Sequence, residues 1–151
     1  MRNAAFRGKR AFLSNYHEAP FIVNGKIYNS VEHFFHASKA DNEIEHEMVR
    51  NANTPAEAKK LGRSVHLRSD WEEEKINIMY LGLLAKFCCH LNLAIKLVET
   101  GDDTLEELND WNDTFWGINI ETREGQNMLG KLLMKVRTEI KQELLKVKNF
   151  I

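Results

Sequence analysis

No run of about 18 apolar residues occurs in the sequence, the length a membrane-crossing helix needs, and no membrane partner is expected. The start, M-R-N-A-A-F-R-G-K-R, lacks the apolar centre of a secretory leader, so an intracellular, cytoplasmic protein is the expectation. Charge of one sign is not in excess either: 21 Lys and Arg stand against 22 Asp and Glu, a net charge of -1. That balance argues against the chain-wide basic footprint of non-specific nucleic-acid binders, although a local basic patch fits within it. Cysteine is confined to Cys88 and Cys89. Adjacent in a helical pattern, their side chains diverge by about 100°, which disfavours a bridge, and both read as reduced core residues. Two cysteines also rule out a cysteine metal site. G-x-x-x-x-G-K-S/T, G-x-G-x-x-G and G-x-S-x-G are all missing, which removes the simplest nucleotide triphosphatase, Rossmann and serine-hydrolase readings.

What is present is the composition of one globular domain: 151 residues, 43% apolar and 28% charged, enough for a core and short for two ordinary domains. Phe6 to Tyr16 has no long period and reads as a strand followed by a loop. Phe21 to Tyr28 places F-I-V and K-I-Y around Asn24-Gly25, the signature of a two-residue hairpin. Ser30 then caps a helix through about Lys39. A charged segment from Asp41 to Arg50 predicts a surface helix with a thin apolar stripe at Ile44, Met48 and Val49. Thr54-Pro55-Ala56-Glu57 is a capping box with proline at the first helical position. Asp70-Trp71-Glu72-Glu73 opens a long buried helix with Ile76, Met79, Leu83, Leu84, Phe87 and Leu91 on its apolar face. Asn92 caps a shorter helix, Leu93 to Glu99, and Leu105 to Leu108 add a turn or two. Asp110 to Gly125 has no sustained period and reads as a long structured loop, a class that is usually functional in compact domains. A final helix from about Gly125 to Lys148 carries Leu129, Leu132, Leu133, Val136, Ile140, Leu144 and Val147 inward. The fold class expected is α+β, a predominantly helical single domain over 1–151 with a small N-terminal β-hairpin or sheet.

Chemistry concentrates on the Ser30 helix. Glu32, Phe35 and Lys39 follow the helical period with His36 beside them, so an acid, an aromatic, an imidazole and an amine share one stripe where apolar residues would be the norm. Glu32 reads either as a first-turn acid favoured by the helix dipole or as a partly desolvated reactive carboxylate beside Phe34 and Phe35. Trp111 and Trp116 flank Asp113 in the long loop, and Trp71 opens a helix; aromatics so placed are core or lid residues, or faces for a flat ligand. His33 and His36 share the spacing of a metal pair, but nothing else in the chain supplies a zinc-like signature, and packed histidines are the commoner outcome.

Taken in order, F-L-S-N-Y at 12 to 16, S-V-E-H-F-F-H-A-S-K at 30 to 39, L-G-R at 61 to 63, D-W-E at 70 to 72 and K-F at 86 to 87 resemble the NADAR (YbiA-like) family. T-G-D at 100 to 102, N-D-T-F-W-G at 112 to 117 and N-M-L-G-K-L-L-M-K-V-R at 127 to 137 extend the resemblance over nearly the whole chain. The resemblance implies an N-glycosidase that cleaves the bond between a ribose and a nitrogen, without a cofactor or metal. Its implied substrates are ADP-ribose attached to a base or protein, including guanine in nucleic acid, or ribosylamino-pyrimidine intermediates of riboflavin synthesis. The alternative is a non-catalytic module that binds ADP-ribose or an NAD derivative. Matching motif to motif, Glu32 and Asp113 are the implied acids with Glu107 a further candidate, while Phe12, Asn15, Lys39, Trp71 and Trp116 line the ligand site. Lys39 and Arg137 are also candidates for binding phosphate, the arginine because its fork matches phosphate oxygens.

Overall fold

The structure, a computed structural model, describes residues 6–148, and the chain within it groups into two compact units. One is Asn15–Cys89; the other joins the segment ending at Ser14 to the chain from His90 onward. The stretch read for a leader begins outside the described residues.

In the 15–89 unit, β1 (Phe21–Val23) and β2 (Lys26–Tyr28) pair antiparallel, with Phe21 opposite Tyr28 and Ile22 opposite Ile27. The turn is the one Asn-Gly dictates: Asn24 and Gly25 take φ of 50° and 78°, a region open to these two residue types. Alternation sends Phe21 and Tyr28 inward, where both meet Phe34 edge-on at ring distances of 5.9 and 5.0 Å, and leaves Ile22 and Ile27 exposed. The hairpin delivers the chain into α1 (Val31–Ala37), capped by Ser30, whose side-chain oxygen accepts from the His33 amide. All seven residues of α1 are buried, its flanks covered by α2 (Glu43–Arg50), α3 (Pro55–Gly62) and α4 (Trp71–Cys89). A helix buried all round has no polar face to give to solvent, so any partner for its acid and imidazoles has to come from within the protein. The helix start read at Thr54 is present, its side-chain oxygen accepting from the Glu57 amide, whereas α2 is capped by Asn42, which accepts from the Glu45 amide and which the sequence reading did not single out. On α2 only Val49 of the three apolar residues is buried.

In the other unit a 3-10 helix (Gly8–Leu13) replaces the strand expected at Phe6 to Tyr16, and it buries Phe12 and Leu13. Six residues with no period carry too little signal to separate a tight helix from a strand. Next come α5 (Leu91–Glu99), β3 (Leu108–Asn109), β4 (Ile118–Asn119) and α6 (Met128–Lys148). α5 starts at Leu91 with His90 at the N-cap, so Leu91 is an exposed first residue rather than the end of the α4 apolar face. The turn expected at Leu105 to Leu108 is not helical: Leu108 and Asn109 pair in parallel with Ile118 and Asn119. The pairing partner lies across the loop, where local sequence gives no sign of it.

Three burial expectations are corrected. Cys88 and Cys89 are reduced but exposed, because they fall in the last turn of α4. Ile76 is exposed while Ile78 is buried, and on α6 Val147 is exposed beyond the last buried turn at Ile140. Among the described residues no single helix is long and apolar enough to cross a membrane.

Candidate active site

The acid and imidazole of α1 meet inside the 15–89 unit. Glu32 and His36, one helical turn apart, are 7% and 6% exposed, and His36 Nε2 lies 2.7 Å from Glu32 Oε1. The Glu32 amide donates to the carbonyl of Asn15 at 3.1 Å, which fixes the loop before the hairpin against the first turn of α1. Asn15 is itself buried; its amide nitrogen sits 3.4 Å from the sulfur of Met79 on α4, and its Oδ1 has no hydrogen-bond partner. A buried acceptor of this kind is costly unless something else, a solvent molecule or a ligand group, supplies the missing donor.

Lys39 closes the other end of the stripe. Its carbonyl accepts from the Arg68 amide at 2.9 Å and Ala40 bridges Leu67, so the loop before α4 is stitched to the end of α1. The stitch brings Trp71 onto Phe35, ring centroids 5.0 Å apart, with Lys39 Nζ 5.6 Å from the Phe35 ring and 5.9 Å from the Trp71 ring. Burial pulls the Lys39 ammonium below its ordinary value, Glu32 pulls it back up, and Lys59 and Arg63 add to the lowering. Tyr16, 43% exposed, has its phenol pushed up by burial and then by Glu32, with Arg63 opposing. Glu32, Lys39, Tyr16 and Arg63 thus share one electrostatic neighbourhood, and Tyr16 and Arg63 are members that motif spacing did not single out.

His33 is a packed residue rather than a ligand. Its Nε2 donates to the Ala52 carbonyl at 3.0 Å and its Nδ1 takes the Ser30 hydroxyl at 2.7 Å, so both ring nitrogens are occupied. Among the described residues no three His, Cys, Asp or Glu side chains form a group able to hold a metal ion. Lys86, two turns beyond Met79 on α4, is fully buried, and burial pushes its ammonium down to about 7.

The remaining candidates lie in the other unit. Asp113 Oδ1 accepts from the amides of Phe115 and Trp116 at 3.2 and 3.0 Å, and Asn109 clasps the Asp113 backbone from both sides, donating to its carbonyl and accepting from its amide. Asp113 is therefore the cap of the tight turn that presents the half-buried Trp116. Glu107 is half-buried, its amide donating to Asn127 Oδ1 and its carbonyl accepting from Ile118. Arg137 is buried on α6 and spends one guanidinium nitrogen on Thr100 Oγ1 and the Asp103 carbonyl, at 2.8 and 2.9 Å. Phe12 is buried with Lys96 Nζ 5.8 Å from its ring.

The imidazoles set a pH dependence. His36 and His46 are both held below the ordinary value of 6.5, chiefly by burial. As pH falls through about 6.5 the unfolded chain takes up protons that the folded chain resists, so this stability is present above that value and lost below it. The exposed His66, raised by Glu45, acts in the opposite sense and is screened by solvent. Urea midpoints should fall between about pH 7 and pH 5, before the carboxylates protonate. A flat or rising profile over that range contradicts the burial of the two imidazoles.

Comparison with known proteins places the chain in a family. The NADAR domain model matches residues 5–141, across both units. The chain belongs to the NADAR family. It is 36% identical over 130 residues to N-glycosidase YbiA of Shigella sonnei, covering 85% of this chain and 80% of that one. It is 34% identical over 133 residues to a riboflavin biosynthesis protein of Vibrio vulnificus, covering 87% of this chain and 36% of that longer one. The solved structure of YbiA from E. coli superposes with a TM-score of 0.83 at 34% identity, covering 93% of this chain and 85% of that one. The predominantly helical α+β fold is thereby the YbiA fold.

Proposed function

We propose that the chain is an N-glycosidase that hydrolyses the bond between a ribose and the nitrogen of a leaving base or amine, with Glu32 as its principal acid. The observation that carries this reading is the buried Glu32 carboxylate paired with His36 and tied to Asn15, whose own side-chain oxygen lacks a donor. Breaking an N-ribosidic bond builds positive charge on the ribose ring, and a fixed carboxylate in a water-poor setting stabilises that charge. The Asn15 oxygen is suited to a ribose hydroxyl, and Lys39 to a phosphate or a departing nitrogen. Trp71, 6% exposed, acts as a wall behind Lys39. Relatives named as N-glycosidases and as a riboflavin biosynthesis protein support the reaction class. Two substrates fit it: ADP-ribose on a base or macromolecule, nucleic acid included, and phosphoribosylamino-pyrimidines. Free base appearing in proportion to protein tests the reading. A raised melting temperature with the ligand recovered intact marks a binding module instead.

Asp113, Glu107, Trp116, Phe12 and Arg137 are carried as further candidates on their motifs, and Asp113 admits a clean separation. Asp113→Asn keeps the oxygen that caps the turn and removes the charge, whereas Asp113→Ala removes both. If Asp113 is a reacting acid, Asn should lower kcat by roughly 10²-fold or more with an unchanged melting curve. If it serves as the turn cap alone, Asn should be close to wild type and Ala should lose about 1 kcal/mol of stability.

A further inference from the structure

The two ring nitrogens of His36 have unequal surroundings. Nε2 faces the Glu32 carboxylate at 2.7 Å, while Nδ1 is buried without any hydrogen-bond partner. The Nδ1 side is closed by Gly62 at the end of α3: a Cβ there would sit 2.8 Å from His36 Cβ and 2.9 Å from Nδ1. Glycine lets the helix backbone lie against the ring, and no donor or acceptor is supplied from that side. A proton on Nδ1 would be a buried donor with nothing to receive it, whereas a bare Nδ1 lone pair is the less costly orphan. An ionised carboxylate opposite Nε2 accepts and cannot donate.

We infer that His36 is a positioning residue held as the neutral Nε2–H tautomer, whose single N–H orients the Glu32 carboxylate without passing a proton to it. The inference rests on the reading of Glu32 as the acid of an N-glycosidase, and it adds the device that keeps that acid aimed. The charged groups acting on the ring agree with it. Burial opposes protonation most strongly, Glu32 favours it, and Lys39 beyond α1 and Lys59 on α3 both oppose it. An imidazolium would also take the excess charge out of the carboxylate by forming a closed ion pair, weakening its pull on a cationic ribose.

Any side chain with an amide N–H at the Nε2 position should serve as well, and glutamine places its nitrogen there. The test therefore pairs spectra with kinetics. In the intact wild-type chain labelled with 15N-histidine, His36 should show the Nε2–H pattern from about pH 8 down to below its ordinary value near 6.5. His36→Gln should keep kcat/KM within about threefold, and His36→Leu should lose roughly 10- to 100-fold, mostly in kcat. An Nδ1–H tautomer or an imidazolium at neutral pH overturns the inference in wild-type protein, whether or not the leucine variant folds. A glutamine variant as impaired as the leucine one overturns it on the kinetic arm. Wild-type protein that turns over no N-riboside overturns the glycosidase reading and the kinetic role given to His36 together. The spectra decide the tautomer separately.

Discussion

Glu32→Gln should lower kcat on an N-riboside by roughly 10²- to 10³-fold while leaving ligand affinity and the melting curve close to wild type. The amide keeps the shape of the carboxylate, and its oxygen still accepts from His36 Nε2, so the buried hydrogen bond of α1 survives. What disappears is the negative charge. In a site where Glu32 is 7% exposed, water cannot replace that charge when the ribose becomes cationic. A variant that merely lost a helix-dipole anchor would instead show a small stability change and full turnover. The readings are separated by steady-state kinetics alongside circular dichroism, and unchanged turnover in a folded variant would return Glu32 to the anchor role.

The largest effect on stability should come from Gly130→Ala in α6. A Cβ at Gly130 would lie 2.0 Å from the Leu105 carbonyl oxygen and 2.4 Å from Asn127 Nδ2. Those two atoms are bonded to each other at 2.9 Å, and Asn127 Oδ1 holds the Glu107 amide at 2.9 Å. Asn127, at φ 52° and buried, is thus a clamp that fastens the chain at 105–107 to the start of α6. One added methyl would force apart a backbone carbonyl and both arms of the clamp, which is overpacking without a flexible neighbour to yield. The expected loss is about 3 kcal/mol, or roughly 10 °C in Tm. Gly25→Ala is the control: nothing lies within 4 Å of its added Cβ, and its φ of 78° alone should cost about 1 kcal/mol. Equal melting temperatures for the two variants would show that α6 can shift away from Leu105 at little cost.

The sequence made legible those elements whose signals are local. Asn24-Gly25 set the hairpin and its register, and Ser30 and Thr54 marked two helix starts with side-chain oxygens that bond the expected amides, whereas the cap read at Asn92 falls inside α5, whose N-cap is His90. The pair of strands at Leu108 and Ile118 escaped, because each is two residues long and its partner lies across a loop. Helix ends were harder than helix middles: Val147, Cys88 and Leu91 keep the apolar period after the packing that would bury them has ended. At the site, the spacing of Glu32, Phe35, His36 and Lys39 gave the stripe, since side chains one turn apart must meet. It gave neither the unpaired Asn15 oxygen nor the unpaired His36 nitrogen. Both depend on what other elements bring up, a methionine from α4 and a glycine from α3, and neighbours distant in sequence leave no periodicity to read.

Whether the chain cuts its ligand is decided most directly by incubating it with ADP-ribosylated guanine, NAD and a pyrimidine ribosylamine phosphate, and following free base and reducing sugar by chromatography. With one of the three, base and sugar should appear in equal amounts, in proportion to the wild-type protein, and not with Glu32→Gln. All three recovered intact, with the melting temperature raised by any of them, would contradict hydrolysis and make this a binding protein.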